Sequence, residues 1–124
     1  MPRYAERVYA ERVWADDEHY RVDYARESAV TELRRLDLDV GVDDLSDIWL
    51  APTGDLILTE ELSSGAAARV MAYQMQRGER FPPVVVRATS GGLLVVDGHH
   101  RVEASRLAGY ALVPVRELLA AAAA

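Results

Sequence analysis

The chain has 124 residues and a formal charge of −6; half of its residues are hydrophobic and 27% are charged. That is the size and make-up of one globular domain, and it excludes a disordered or collagen-like chain. Cysteine is absent, which removes disulfides, thiolate metal sites and any cysteine nucleophile. No apolar run reaches the roughly 20 residues that span a bilayer. Charge, rather than a signal core, follows Met1-Pro2-Arg3, so a cytoplasmic protein with no membrane partner is expected. The acidic balance argues against direct DNA binding.

The charge is uneven. Residues 1–62 carry 16 of the 20 acids against 7 arginines, a balance of −9, whereas residues 63–124 carry 4 acids and 7 arginines, a balance of +3. An anionic ligand is therefore expected on the C-terminal half, although an acidic solvated N-terminal helix explains part of the asymmetry equally well.

In chain order, no Gly or Pro occurs between Arg3 and Val40. Good helix formers predict a helix over 4–14, an acidic break over 15–19 and a second helix over 20–35, whose apolar face is Val22, Ala25, Ala29, Leu33 and Leu36. The period then changes: Leu36, Leu38, Val40 and Val42 alternate with Asp37, Asp39 and Gly41, the pattern of a strand. Residues 43–59 are mixed, with a turn signal at Pro52–Asp55 and a short apolar run, Leu56-Ile57-Leu58. Ser63 or Ser64 is placed to cap a helix over 64–77 that stops near Gly78. Phe81-Pro82-Pro83 bars helix and leads into a strand, Val84–Val86. Thr89–Gly92 is turn chemistry, followed by a strand over 93–96. A helix is expected from His99 to Ala108 with Gly109 closing it, then a strand over 111–115 and a helical stub over 116–120. The alanine run 120–124 carries no functional weight. The order predicts an α+β domain: a small mixed sheet with flanking helices over 36–120, preceded by an N-terminal helical extension over 1–35.

The sharpest chemical signal is Val95-Val96-Asp97-Gly98-His99-His100-Arg101. A strand ends in Asp-Gly and a helix begins on cationic side chains. Helix-start N–H groups are unsatisfied and carry partial positive charge, Gly98 permits close approach, and Arg101 with the imidazoles of His99 and His100 adds donors for phosphate oxygens. An ordinary turn is the alternative. Adjacent histidines diverge by about 100° on a helix and have no third ligand near in sequence, so no direct metal ligation is expected. Neither a Walker sequence nor a G-x-S-x-G elbow is present.

Phe81-Pro-Pro-Val-Val-Val-Arg87, Leu93-Leu-Val-Val-Asp-Gly-His-His-Arg-Val-Glu-Ala104, Leu107-Ala-Gly109 and Val113-Pro-Val115 together resemble the ParB/sulfiredoxin superfamily. The resemblance covers about residues 38–118 and takes Val40–Leu45 as the first strand and 64–77 as a helix. It implies a ParB/sulfiredoxin-like fold and nucleotide binding. The sulfiredoxin box, G-C-H-R, has its cysteine position filled by His99, which excludes that reaction. The partition proteins use G-E-R-R for CTP and carry a helix-turn-helix domain downstream; His99-His100 replaces Glu-Arg, and partition in the usual sense is not expected.

The D-G-H-H-R box is most similar to that of the free-serine kinases. That likeness implies phosphates of ATP, ADP or CTP, with Mg²⁺, on Asp97, Gly98, His99, His100 and Arg101, and Thr59 as a further donor. It also implies Glu60, with Glu61 behind it, as the base on the hydroxyl of a small substrate. An acidic pair at a helix start is also an ordinary dipole partner. Two readings stay open: a phosphotransferase or NTPase, and a non-catalytic nucleotide-sensing or protein-interaction module of a plasmid, phage or DNA-regulatory system. In the second, residues 1–35 would mediate a homodimer or hold a protein partner through Tyr4, Tyr9, Trp14, Tyr20 and Tyr24, unless these aromatics pack onto the core.

Overall fold

A computed structural model describes Trp14, Tyr20, residues 24–59 and residues 65–119. The expected helix over 4–14 (Trp14 apart), the break over 15–19, the acids Glu60 and Glu61, the caps Ser63 and Ser64 and the alanine tail lie outside the described residues. Helix α1 spans Arg26–Arg35, strand β1 Trp49–Pro52, β2 Leu56–Ile57, helix α2 Ala66–Gln76, β3 Val84–Thr89, β4 Gly92–Asp97, helix α3 His99–Ala108 and β5 Leu112–Glu117.

The five strands form one mixed sheet in the order β1-β5-β3-β4-β2. β3 and β4 are an antiparallel hairpin, β5 runs parallel to β3, β1 antiparallel to β5, and β2 parallel to β4. The uninterrupted valines of β3 are explained by burial from both sides, as for a central strand. Val84 and Val86 join Val95, Val113 and Val115 in a core with Ala72 and Met75 of α2 and Val102, Ala104 and Ala108 of α3. Val85 faces the other way, into a second cluster with Leu118 and with Val30 and Leu33 of α1. Each fully buried valine contributes about 1.5–3 kcal/mol.

Four expectations are corrected. The helix expected over 20–35 is broken at Tyr24-Ala25. Tyr24 N–H still bonds the Tyr20 carbonyl at 3.0 Å, but the Tyr24 carbonyl is taken by the Arg116 guanidinium at 2.7 Å, and Ser28 N–H bonds Ala25 instead, so a new helix starts at Arg26. The alternating segment 36–42 is no strand. Leu36, Asp37 and Leu38 donate to the carbonyls of Leu33 and Arg34, and Asp37 takes φ +62°, a helix terminus followed by an unpaired extended stretch. Val42–Asp44, within the segment taken as first strand, is a 3₁₀ turn; the first strand is Trp49–Pro52, an edge strand. The stub expected over 116–120 is instead the end of β5, because Arg116 and Glu117 pair with Val85 and Val86; sheet pairing overrides helix propensity.

The aromatics Trp14 and Tyr20 are buried in the main core. The Trp14 indole N–H reaches the Phe81 carbonyl at 3.0 Å, the Tyr20 hydroxyl donates to that same carbonyl, and the Tyr24 hydroxyl bonds the Arg80 carbonyl at 3.2 Å. These rings are therefore packing groups for the Phe81-Pro-Pro turn rather than an open interface. Burial holds the Tyr20 hydroxyl well above its ordinary pKa. The native state thus keeps a proton that the unfolded chain loses above about pH 10, so stability falls as pH rises through that value, by up to about 1.4 kcal/mol per pH unit. Tyr20→Phe is expected to cost about 1 kcal/mol at neutral pH and to flatten that alkaline slope, which urea unfolding between pH 8 and 11 measures.

Candidate functional site

The site is built at the junction of β4 and α3. β4 ends at Asp97, Gly98 turns the chain at φ +106°, and α3 begins at His99 with no side-chain cap. The first turn of α3 therefore presents unsatisfied N–H groups and the positive end of its dipole, with no side-chain cap among the described residues. Val102 N–H to Gly98 C=O, at 3.1 Å, is the first bond of the helix.

Arg101 folds back over the turn. One terminal nitrogen donates to the carbonyls of Pro82 and Pro83, at 2.7 and 2.9 Å, and the other lies 3.3 Å from the Asp97 carboxylate. The side chain is only 12% exposed. A Cβ at residue 98 would come within 2.9–3.0 Å of three guanidinium atoms, so glycine is needed both for the positive φ and for the room above it. Among the described residues, these three bonds engage three of the five guanidinium N–H groups and leave out Nε–H and one terminal hydrogen.

His99 turns inward and is buried. Its Nε2 lies 2.9 Å from Thr59 Oγ1 and 3.3 Å from the Thr59 backbone nitrogen, and Thr59 Oγ1 bonds the Val95 carbonyl at 3.0 Å. Nε2 cannot donate to the hydroxyl and accept from the amide at once, so the tautomer selects one of the two. Either way the pair staples the segment after β2 to the start of α3. Thr59→Val is expected to lower stability by about 1–2 kcal/mol, read as a lower urea midpoint at unchanged slope. His100 is exposed.

Beside the junction lies a cleft of about 450 Å³ with Asp97 and Arg101 in its wall. Ser28, Ala29 and Glu32 of α1 form one side, Phe81, Pro82 and Pro83 line another, and Val85 is part of the floor. It combines apolar surface with one guanidinium, Arg101, and two carboxylates, Asp97 and Glu32; apolar walls with a few polar groups are the usual make-up of a small-molecule site. Asp97 and Arg101 are thus brought together in the cleft wall, with Gly98 packed against the guanidinium, whereas Thr59, His99 and His100 are not among the residues that line it. Sequence reasoning missed the α1 contribution. Only the Phe81-Pro-Pro turn among the other walls carried a signal.

Two other arginines of the C-terminal half are engaged elsewhere: Arg77 bonds the Tyr73 hydroxyl at 2.8 Å and lies over that ring, and Arg106 holds the carbonyls of Thr53 and Leu56. Among the described residues, no three His, Asp or Glu side chains group closely enough to hold a metal ion.

Comparison with solved structures shows that this mixed α+β architecture is the ParB/sulfiredoxin-like fold. The C-terminally truncated chromosome-partitioning protein ParB from Caulobacter crescentus, complexed with CTP-gamma-S, aligns with a TM-score of 0.52 at 21% identity over 60% of this chain. SbnI with C-terminal truncation from Staphylococcus aureus aligns with a TM-score of 0.53 at 24% identity, again over 60%. A sulfiredoxin from Arabidopsis thaliana aligns at 0.49, with 17% identity over 58% of this chain and 84% of its own. The chain spans 45% of the ParB structure and 31% of the SbnI structure. No protein-family model and no curated protein matches it. No described helix is long and apolar enough to cross a membrane.

Proposed function

We propose that the cleft beside the β4–α3 junction binds a nucleotide, with its phosphates on the first turn of α3 and Arg101 and its base against the apolar wall. The observation that carries this reading is the uncapped, glycine-started helix opening beside a partly committed arginine. The CTP analogue held by the Caulobacter ParB supports it as precedent on the same fold. Backbone amides at a helix start and a guanidinium are complementary to phosphate oxygens in charge and geometry. Magnesium entering with the nucleotide would neutralise phosphate charge, and Asp97, which pairs with Arg101 at 3.3 Å, is the box's own carboxylate.

The reading extends to chemistry as a phosphotransferase or NTPase acting on ATP, ADP or CTP, with Glu60 as base toward the hydroxyl of a small substrate such as free serine. Glu60 follows directly on Thr59, which His99 ties to the start of α3. Positioning and charge neutralisation would supply most of the rate enhancement. A second reading, a nucleotide-sensing module without turnover, is favoured by one observation: His99 is committed to Thr59 rather than to the cleft.

Thermal unfolding with ATP, ADP, CTP and GTP, each with Mg²⁺, tests the binding. A nucleotide at about 100 times its dissociation constant adds roughly 2.7 kcal/mol, a rise of several degrees. A rise with one nucleotide that Arg101→Ala abolishes is the expected result; no rise with any of the four overturns the proposal. Turnover lost in Glu60→Gln with the thermal rise retained separates the enzyme from the sensor, and full turnover in that variant removes Glu60 as base.

A further inference from the structure

Four consecutive carbonyls, those of Arg80, Phe81, Pro82 and Pro83, lie in the turn between α2 and β3. Pro82 and Pro83 have no N–H, so this turn cannot close on its own backbone. Side chains reach its carbonyls instead, from two separate parts of the chain. The Trp14 indole N–H bonds the Phe81 carbonyl at 3.0 Å, the Tyr20 hydroxyl donates to the same oxygen, and the Tyr24 hydroxyl bonds the Arg80 carbonyl at 3.2 Å. From α3, one terminal nitrogen of Arg101 takes the next two carbonyls, Pro82 and Pro83, at 2.7 and 2.9 Å, while the other faces Asp97. Trp14 and Tyr20 are only 4% and 1% exposed, and the Tyr20 ring packs on Tyr24 with centroids 4.7 Å apart. Packing therefore fixes where these donors point. The last carbonyl that they hold and the first that Arg101 holds are neighbours. Proline fixes its own φ and restricts the residue before it, so a rotation at Phe81 is passed on to Pro82 and Pro83 rather than absorbed.

We propose that Trp14 and Tyr20 are positioning residues for the phosphate site: through the Phe81-Pro-Pro turn they hold the Arg101 guanidinium in its place over Gly98. What the guanidinium receives there rests on the nucleotide reading above; that the aromatics set its place does not. Without its two donors the Phe81 carbonyl loses both of these bonds, the turn shifts to recover one, and the fork on the next two carbonyls shifts with it. The dependence is reciprocal, so a change at Arg101 is felt at Trp14. Both aromatics precede residues 38–118, the stretch that resembles the superfamily, and so the extension takes part in building the site.

The test follows two side-chain signals of the ¹⁵N-labelled, ligand-free protein: the Arg101 Nε–H, identified by its absence from Arg101→Lys, and the Trp14 indole N–H, identified by its absence from Trp14→Phe. The Arg101 signal should move in Tyr20→Phe, which keeps the ring, and further in Trp14→Phe/Tyr20→Phe; the Trp14 signal should move in Arg101→Lys. The double variant should also bind the nucleotide that raises Tm most about tenfold more weakly, titrated at a temperature where it is fully folded. Aromatics that only stabilise the fold would lower Tm and leave the Arg101 signal and the affinity as they were; either one unchanged overturns the proposal. Should the double variant fail to fold, Tyr20→Phe decides. Should no nucleotide bind the parent protein, the nucleotide reading falls, and the reciprocal movement of the Arg101 and Trp14 signals decides this proposal by itself.

Discussion

Arg101→Ala lowers the stability of the ligand-free protein by about 2–3 kcal/mol, a fall of roughly 10 °C in Tm for a domain of this size. The effect is large because the guanidinium is a structural clamp before it meets any ligand. It satisfies two consecutive proline carbonyls and pairs with a half-buried carboxylate. Proline has no N–H and fixes its own φ, so the Phe81-Pro-Pro turn cannot rearrange to satisfy these carbonyls from within. Arg101→Lys should recover only a small part, because a single ammonium cannot reproduce the fork that reaches both carbonyls and Asp97. Calorimetry of the three proteins without nucleotide reads this directly. An alanine variant as stable as the parent would mean that Arg101 stands free in solvent.

Gly98→Ala is the second large effect. A side chain at φ +106° costs about 1–2 kcal/mol in backbone strain, and the added Cβ meets the Arg101 guanidinium at 2.9–3.0 Å. The guanidinium must then shift, which weakens its bonds to the proline carbonyls and to Asp97. The expected loss is about 3 kcal/mol alone, but only the strain of about 1–2 kcal/mol when Arg101 is already alanine. A double-mutant cycle therefore shows a coupling of about 1 kcal/mol or more. Additive losses would place the guanidinium elsewhere than over Gly98.

Those two residues were legible in the sequence because a Gly between a valine-rich strand and a helix has few other uses. The same holds for the boundaries of α3, set by Gly98 at one end and Gly109, at φ +81°, at the other. Elements governed by distant partners were not legible. Leu36–Val42 alternates although it is no strand: after the helix terminus at Asp37, Val40 is buried and Leu38 half-buried while Asp39 is exposed, so alternation reports burial rather than pairing. β1 was hidden because Trp49 and Leu50, on an edge strand, are left exposed and break the expected pattern. The break at Tyr24 is made by Arg116, 92 residues away. In the site, the Asp97–Arg101 box was legible while the α1 wall was not, since Ser28 and Glu32 look like any wet helix face. The inward turn of His99 is likewise set by Thr59, 40 residues earlier.

Phosphate binding by the first turn of α3 is read by following the backbone amide signals of His99, His100 and Arg101 during titration with the nucleotide that gives the largest thermal rise. His100 and Arg101 should shift most and saturate together, with Ser28 and Ala29 of α1 following. Saturable shifts that leave residues 98–101 unmoved, or confined to another face, would contradict it.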